Sequence, residues 1–324
     1  MRPVPALALL LCLAAPARAF WFGNTSDSRA GELLDGLRSA YEAGDCQASL
    51  DLSEKFFAEK PPGEMREAAY GYMGLCYEAA GSVDKAISLY KLALGLYPEN
   101  KLFSYRLALI YNQAGFPQLA VPLFLKVLKA RSDDVEANLG LARAYAAQGF
   151  LGVAKGYYSR TVILQDFADA AVLEEYARWM LRKGDWPEAV YVAGRGAQAA
   201  PRAPVWQLLE ARALAGQGKY YNAVALLDSA LQLQPSRALR LERALYLLMG
   251  GLPKRAMEAV EPELAAGADP LASMIKGMAL YSLGRRGEAG PYLAAGRAAG
   301  PFTCRIAGSL LGEAREAAEV SCKK

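Results

Sequence analysis

A glycine recurs along the chain at intervals of 33 to 37 residues, and this spacing constrains the fold more than any other feature. The eight glycines are Gly44, Gly81, Gly115, Gly149, Gly184, Gly218, Gly251 and Gly284. Five residues after each of them stands a small residue, namely Ser49, Ala86, Ala120, Ala154, Ala189, Ala223, Ala256 and Ala289. A unit of about 34 residues cannot bury its apolar face alone. The spacing therefore predicts a stack of similar units, which suits a chain of 324 residues better than one central core does.

The stretch from Glu67 to Asn100 shows the unit most clearly. Apolar and small residues recur at helical spacing until Gly81, which tolerates the left-handed conformation that ends a helix. A second amphipathic run follows, and Pro98 cannot continue it. We expect the Ser82 side chain to cap the second helix and Asn100 to cap the next one.

The residues of this stretch follow a defined order when Glu67 is counted as position 1. Tyr70 stands at position 4, Met73 at 7, Gly74 at 8, Tyr77 at 11, Ala86 at 20, Tyr90 at 24, Ala93 at 27 and Pro98 at 32. In this order the stretch resembles the tetratricopeptide repeat. Small residues at positions 8 and 20 allow two helices to approach closely, and aromatic residues at positions 11 and 24 fill the space between them.

The resemblance covers nearly the whole chain after residue 29. The repeats fall at residues 30–63, 67–100, 101–134, 135–168, 170–203, 204–237, 237–270 and 270–303. The seventh matches worst, because Arg240 stands at position 4 and the charged Glu263 at position 27. The resemblance implies an all-α fold, a right-handed superhelical α-solenoid of about eight helix-turn-helix repeats. Residues 304–324 would cap it with a helix or a short helical hairpin.

Residues 1–19 have the features of a cleaved signal peptide. A basic residue precedes an apolar run that is too short to span a bilayer, and Ala17-Arg18-Ala19 is typical of a signal-peptidase site. Cys12 follows the bulky Leu11, which disfavours lipidation. We therefore expect cleavage after Ala19 and export to the periplasm, with a secreted or membrane-peripheral chain as the alternative.

Residues 20–29 then form an N-terminal extension that begins with Phe20, Trp21 and Phe22. These three aromatic residues have two interpretations. They contact a membrane surface, or they pack on the first helix, which is the commoner arrangement.

Four cysteines follow residue 19, and an even number in an exported chain favours disulfides. Cys46 lies at the start of the second helix of the first repeat, and Cys76 lies near the end of the next helix. Because these helices should pack antiparallel, we expect Cys46 and Cys76 to pair. Cys304 and Cys322 pair if the chain forms a hairpin there, whereas a continuous helix would hold them about 27 Å apart. The alternative is that all four are free thiols.

The chemistry of enzymes and of metal sites is largely missing from the sequence. Histidine is absent, the cysteines lack metal-ligand spacing, and there is no glycine-rich phosphate loop. We expect no catalysis, no cofactor and no metal. The formal net charge of the whole chain is +4. Without residues 1–19 the chain has 35 basic and 33 acidic residues, and its net charge is +2. This balance argues against nucleic acid as a partner.

The resemblance implies a binding groove lined by the first helices, at positions 2, 5, 9 and 12 of successive repeats. The candidate residues at or near these positions are Arg38, Tyr41, Tyr105, Asn112, Arg143, Arg178, Arg212 and Tyr281. Arginine with tyrosine suits acidic and aromatic groups of a protein or peptide partner. The alternative is that the arginines only solvate a helix face; Arg178 can pair with Glu174 or Glu175 in its own helix.

A clamp for the carboxyl terminus of a chaperone, known in this family, is not expected, because only Arg106 matches its motif. We expect a scaffold or adaptor of the bacterial cell envelope that belongs to a multiprotein complex. The alternative is a component of polysaccharide synthesis or export machinery that contacts a glycan or its synthase.

Overall fold

The structure, a computed structural model, describes residues 25–296, and this part of the chain is entirely α-helical. Its sixteen helices are α1 (Thr25–Glu42), α2 (Cys46–Ala58), α3 (Gly63–Ala79), α4 (Val83–Leu96), α5 (Lys101–Gln113), α6 (Pro117–Ala130), α7 (Val135–Ala147), α8 (Leu151–Leu164), α9 (Ala170–Lys183), α10 (Trp186–Ala199), α11 (Pro204–Gly216), α12 (Tyr220–Leu233), α13 (Arg237–Met249), α14 (Pro253–Ala265), α15 (Pro270–Ser282) and α16 (Arg286–Gly296). The predicted signal peptide, Phe20 to Phe22, and the predicted C-terminal cap lie outside the described residues.

The recurring glycines end the odd-numbered helices, as the sequence predicts. All eight adopt positive φ angles, between 68° at Gly81 and 82° at Gly149. The backbone can therefore reverse after each odd-numbered helix without the steric cost that a side chain would add. The small residues five positions later are all buried, so each even-numbered helix can approach its predecessor.

The helix caps agree with the sequence in part. The Asn100 side chain accepts a hydrogen bond from the backbone N–H of Phe103 at 2.9 Å, as expected. Ser82 precedes α4 but makes no such bond, so this expectation was wrong. Asp45 and Asp185 have similar backbone torsions and do cap their helices.

The helices form two compact units that divide between Tyr158 and Ser159, within α8. From α1 to α7 in unit 1 and from α9 to α16 in unit 2, each helix packs against the one that follows it in the chain. The fully buried side chains of unit 1 include Leu37, Phe56, Tyr90, Phe103 and Phe124, and those of unit 2 include Leu173, Tyr176, Trp206, Leu209 and Leu227. None of the helices between residues 25 and 296 is long and apolar enough to cross a bilayer.

Candidate partner-binding face

Odd-numbered helices contact one another within each unit. In unit 1, α1 contacts α3 and α5 contacts α7; in unit 2, α9 contacts α11 and α13 contacts α15. We call the surface that these helices form at positions 2, 5, 9 and 12 the first-helix face of the unit. All eight candidate binding residues lie on odd-numbered helices.

Arg38 and Tyr41 lie on α1. The Arg38 guanidinium donates a hydrogen bond to Asp35 in the same helix at 2.8 Å, and half of its side chain stays exposed. The Tyr41 ring lies 5.5 Å from the ring of Tyr72 on α3, measured between centroids. Burial raises the pKa of the Tyr41 phenol. Tyr41 therefore joins two repeats, while Arg38 still reaches solvent.

Tyr105 and Asn112 lie on α5 and hydrogen-bond to α7. The Tyr105 hydroxyl donates to Glu136 at 3.2 Å, and the Asn112 amide donates to the backbone carbonyl of Gly140 at 3.1 Å. Burial, followed by the charge of Glu136, raises the pKa of Tyr105. Both side chains hold neighbouring repeats together and are only half-buried, so one edge of each remains on the first-helix face.

Arg143 is exposed on α7. The two arginines of unit 2 are each bound to a glutamate. Arg178 pairs with Glu174, one turn earlier in α9, with a hydrogen bond of 2.7 Å from its Nε. Arg212 on α11 binds both carboxylate oxygens of Glu242 on α13, at 2.8 and 2.9 Å. Arg212 thus joins two repeats, a role that the sequence analysis missed because the pair is 30 residues apart.

Tyr281 on α15 lies under the guanidinium of Arg286, 5.1 Å from the ring centroid. At the remaining positions 5, 9 and 12 of the last two repeats of unit 2, the side chains are apolar and buried: Leu241, Leu245, Leu248, Met274 and Met278. They belong to one apolar cluster. This part of unit 2 therefore offers few polar groups to a partner.

Arg106, Glu78 and Tyr90 form a cluster in unit 1 that sequence reasoning did not identify. The Arg106 guanidinium donates to both Glu78 oxygens, at 2.8 and 2.6 Å, and the Tyr90 hydroxyl donates to one of them at 2.7 Å. Arg106 on α5 is therefore bound to Glu78 on α3 of the preceding repeat. Arg106 is also the only residue that matches the chaperone-clamp motif.

Cys46 and Cys76 are free thiols in the structure, so the predicted disulfide is not formed there. Their side chains lie within hydrogen-bonding reach of each other. Cys304 and Cys322 lie outside the described residues. In residues 25–296, no group of three or more cysteine and acidic side chains is arranged to hold a metal ion.

The comparisons with known proteins agree on the repeat type. A sequence profile of the tetratricopeptide repeat matches residues 34–101 and 105–171. No curated protein matches the chain significantly in sequence. The chain is similar to the crystal structure of a tetratricopeptide repeat protein from Parabacteroides merdae, with a TM-score of 0.52 and 15% identity over 78% of this chain and 99% of that one. This likeness shows the fold.

Two further solved structures are similar over about half of the chain. MamA from Desulfovibrio magneticus RS-1 gives a TM-score of 0.49 and 18% identity, over 53% of this chain and 94% of that one. YrrB, described as a tetratricopeptide repeat protein with an unusual peptide-binding site, gives 0.47 and 19%, over 54% and 89%.

Proposed function

Because this chain belongs to the tetratricopeptide repeat proteins, we propose that it is a non-enzymatic adaptor that binds a segment of a partner protein on the first-helix face of unit 1. The observation that carries this proposal is the set of side chains at position 9 of the first four repeats. In chain order they are Arg38, Leu75, Leu109 and Arg143. The two arginines are exposed and the two leucines are half-buried.

This order of side chains supports a particular kind of partner segment. Half-buried leucines gain from covering by apolar side chains, at about 25 cal/mol for each Å² of apolar surface removed from water. An exposed arginine can form two parallel hydrogen bonds with a carboxylate. A segment with an apolar centre and acidic residues on either side would match both features. Tyr105 and Asn112, held against α7, would border it.

Unit 1 suits this role better than unit 2 does. In unit 2, Arg212 is bound by Glu242 of the next repeat. The apolar side chains at positions 5 and 9 of α13 and α15 are already buried. Replacing Arg212 would break the contact between two repeats as well as any contact with a partner. A variant at Arg212 is therefore a poor probe of binding.

We place the adaptor in the bacterial cell envelope because of the signal-peptide pattern in residues 1–19. Recruitment into a multiprotein envelope complex is the role that fits an exported repeat array with a protein-binding face. This location rests on the sequence pattern.

A site-specific crosslinking experiment tests the binding face. A photoreactive amino acid replaces the exposed Gln113 on α5 in the full chain, and the crosslinked partner segment is identified from cells by mass spectrometry. A synthetic peptide of that segment is then titrated against the purified protein. We expect Arg38→Ala combined with Arg143→Ala to weaken binding at least about tenfold, equivalent to 1.4 kcal/mol.

The matched control is Lys91→Ala combined with Lys129→Ala, which removes the same charge from exposed sites on α4 and α6. Circular dichroism establishes that both double variants remain folded. Unchanged affinity after loss of the two arginines would contradict the assignment. So would an equal loss in the lysine control, because it would indicate an effect of net charge alone. Capture of a glycan without protein would contradict a protein partner.

A further inference from the structure

The thiols of Cys46 and Cys76 meet where the first two repeats pack together. Cys46 is the first residue of α2, and Cys76 lies in the last turn of α3. The two helices pack against each other, and the thiols lie within hydrogen-bonding reach. The Ser49 hydroxyl, which donates to the backbone carbonyl of Leu37 at 3.1 Å, also lies within reach of Cys76.

The surroundings of the two sulfurs differ. Cys76 is fully buried, and this burial, with the adjacent Cys46 as a lesser cause, raises the pKa of the Cys76 thiol to about 12. Cys46 is only half-buried. Since the thiolate is the reactive form, an external oxidant would react first with Cys46.

We propose that Cys46 and Cys76 form a reversible disulfide that joins α2 of the first repeat to α3 of the second. The oxidant is a low-molecular-weight or protein disulfide. Cys46 loses its proton to solvent and attacks one sulfur of the oxidant, whose other sulfur leaves and is protonated. Cys76 then attacks the Cys46 sulfur of the mixed disulfide and passes its proton to the departing sulfur. Two electrons reach the oxidant, which leaves as two thiols.

Closing this bond would restrain the chain between residues 46 and 76, which contains the turn from the first repeat to the second. Tyr41 lies within electrostatic reach of both thiols, and its ring contacts Tyr72. The bond would therefore stabilise the packing of α1, α2 and α3 beneath this end of the first-helix face. The proposal does not depend on whether that face binds a partner.

The test uses the reduced, purified full chain with Cys12, Cys304 and Cys322 replaced by serine. The protein is incubated with oxidised glutathione, alkylated and digested, and the peptides are identified by mass spectrometry. We expect a linked peptide pair containing Cys46 and Cys76, and loss of two titratable thiols. The melting temperature of the oxidised protein should exceed that of the reduced protein by roughly 5 °C or more.

Cys46→Ser and Cys76→Ser variants in the same background serve as controls. Neither variant can form the linked peptide pair, and neither should show such a rise in melting temperature after oxidation; in Cys76→Ser we expect the glutathione adduct to remain on Cys46. Because each variant is compared with its own reduced form, a change in basal stability does not affect the outcome. Stable glutathione adducts on Cys46 without the linked pair would overturn the proposal. Intermolecular dimers or two unreacted thiols would also overturn it.

Discussion

Glu263 and Arg240 occupy positions where a tetratricopeptide repeat ordinarily carries small or apolar side chains, and each compensates for the other. The Arg240 guanidinium donates to the Glu263 carboxylate, and Arg237 lies 3.3 Å from it. Arg237 also pairs with Asp269, which caps α15. The Glu263 side chain is only 5% exposed, so its charge depends on these partners. The seventh repeat, which matches the repeat pattern worst, therefore contains two mismatched residues that bind each other in one network.

This network predicts a stability that depends on pH. The hydrogen bond from Arg240, then the charges of Arg240 and Arg237, hold the pKa of Glu263 below its usual 4.5 despite burial. A lowered pKa in the folded state means that the stabilisation is present above the ordinary pKa and is lost as the pH falls through the folded value. We expect Glu263→Gln to reduce the free energy of unfolding at about pH 7 and to have a smaller effect at about pH 3.

Urea denaturation at the two pH values measures this difference. Glu258→Gln, at an exposed site on the same helix, removes the same charge and should have little effect at either pH. Equal losses of stability at both values would show that the Glu263 charge contributes nothing.

At the scale of the helix, the distance between α3 and α4 depends on a glycine. A β-carbon on Gly74 would lie closer than 3.0 Å to the ring of Tyr90. Tyr90 cannot move freely, because its hydroxyl is bonded to Glu78, which also holds Arg106. Gly74 therefore allows the close helix packing that brings Tyr90 to this cluster.

We expect Gly74→Ala to lower the free energy of unfolding by about 1–3 kcal/mol, the usual cost of overpacking. Gly95→Ala is the matched control, because a β-carbon at this exposed position on α4 meets no atom within 4 Å. It should be neutral or stabilising by up to about 1 kcal/mol, since alanine is the better helix former. Chemical denaturation of both variants measures the contrast, and equal effects would contradict the assigned role of Gly74.

The sequence predicts helix ends well because local chemistry sets them. Gly81 and its equivalents adopt positive φ angles at every helix end where the sequence places them. The spacing within α9 indicated Glu174 or Glu175 as a partner of Arg178, and the structure shows the bond to Glu174. The pair of Arg212 and Glu242 could not be predicted in this way, because it depends on how two repeats are rotated against each other. The same limit applies to Tyr105 and Asn112, which appeared to be ligand contacts but also bond to α7.

At the scale of the molecule, the two units are built from the same type of repeat but carry different side chains on their first-helix faces. In unit 1, Arg38 and Arg143 are exposed on the first-helix face. In unit 2, Leu241, Leu245 and Met278 are buried at comparable repeat positions. The framework residues are nearly constant, whereas the side chains between them change along the chain. A partner that requires charged contacts would therefore distinguish the units although their helices are alike.

The proposed envelope location makes a prediction for the whole chain. If residues 1–19 direct export, the protein recovered from the envelope of a bacterial host should begin at Phe20. N-terminal sequencing of the purified protein measures this. Ala19→Leu places a bulky residue before the expected cleavage site, so we expect it to leave the precursor uncleaved, and deletion of residues 2–19 should leave the protein in the cytoplasm.

Ala6→Val, within the apolar run, is the matched control because it keeps that run apolar, and we expect normal cleavage. Export would also give Cys46 and Cys76 access to the oxidants of the periplasm, so the linked peptide should be found in protein from that fraction. A cytoplasmic protein that retains residues 1–19 would contradict the location. It would leave the protein-binding proposal for unit 1 unaffected, because that proposal rests on the side chains of α1, α3, α5 and α7.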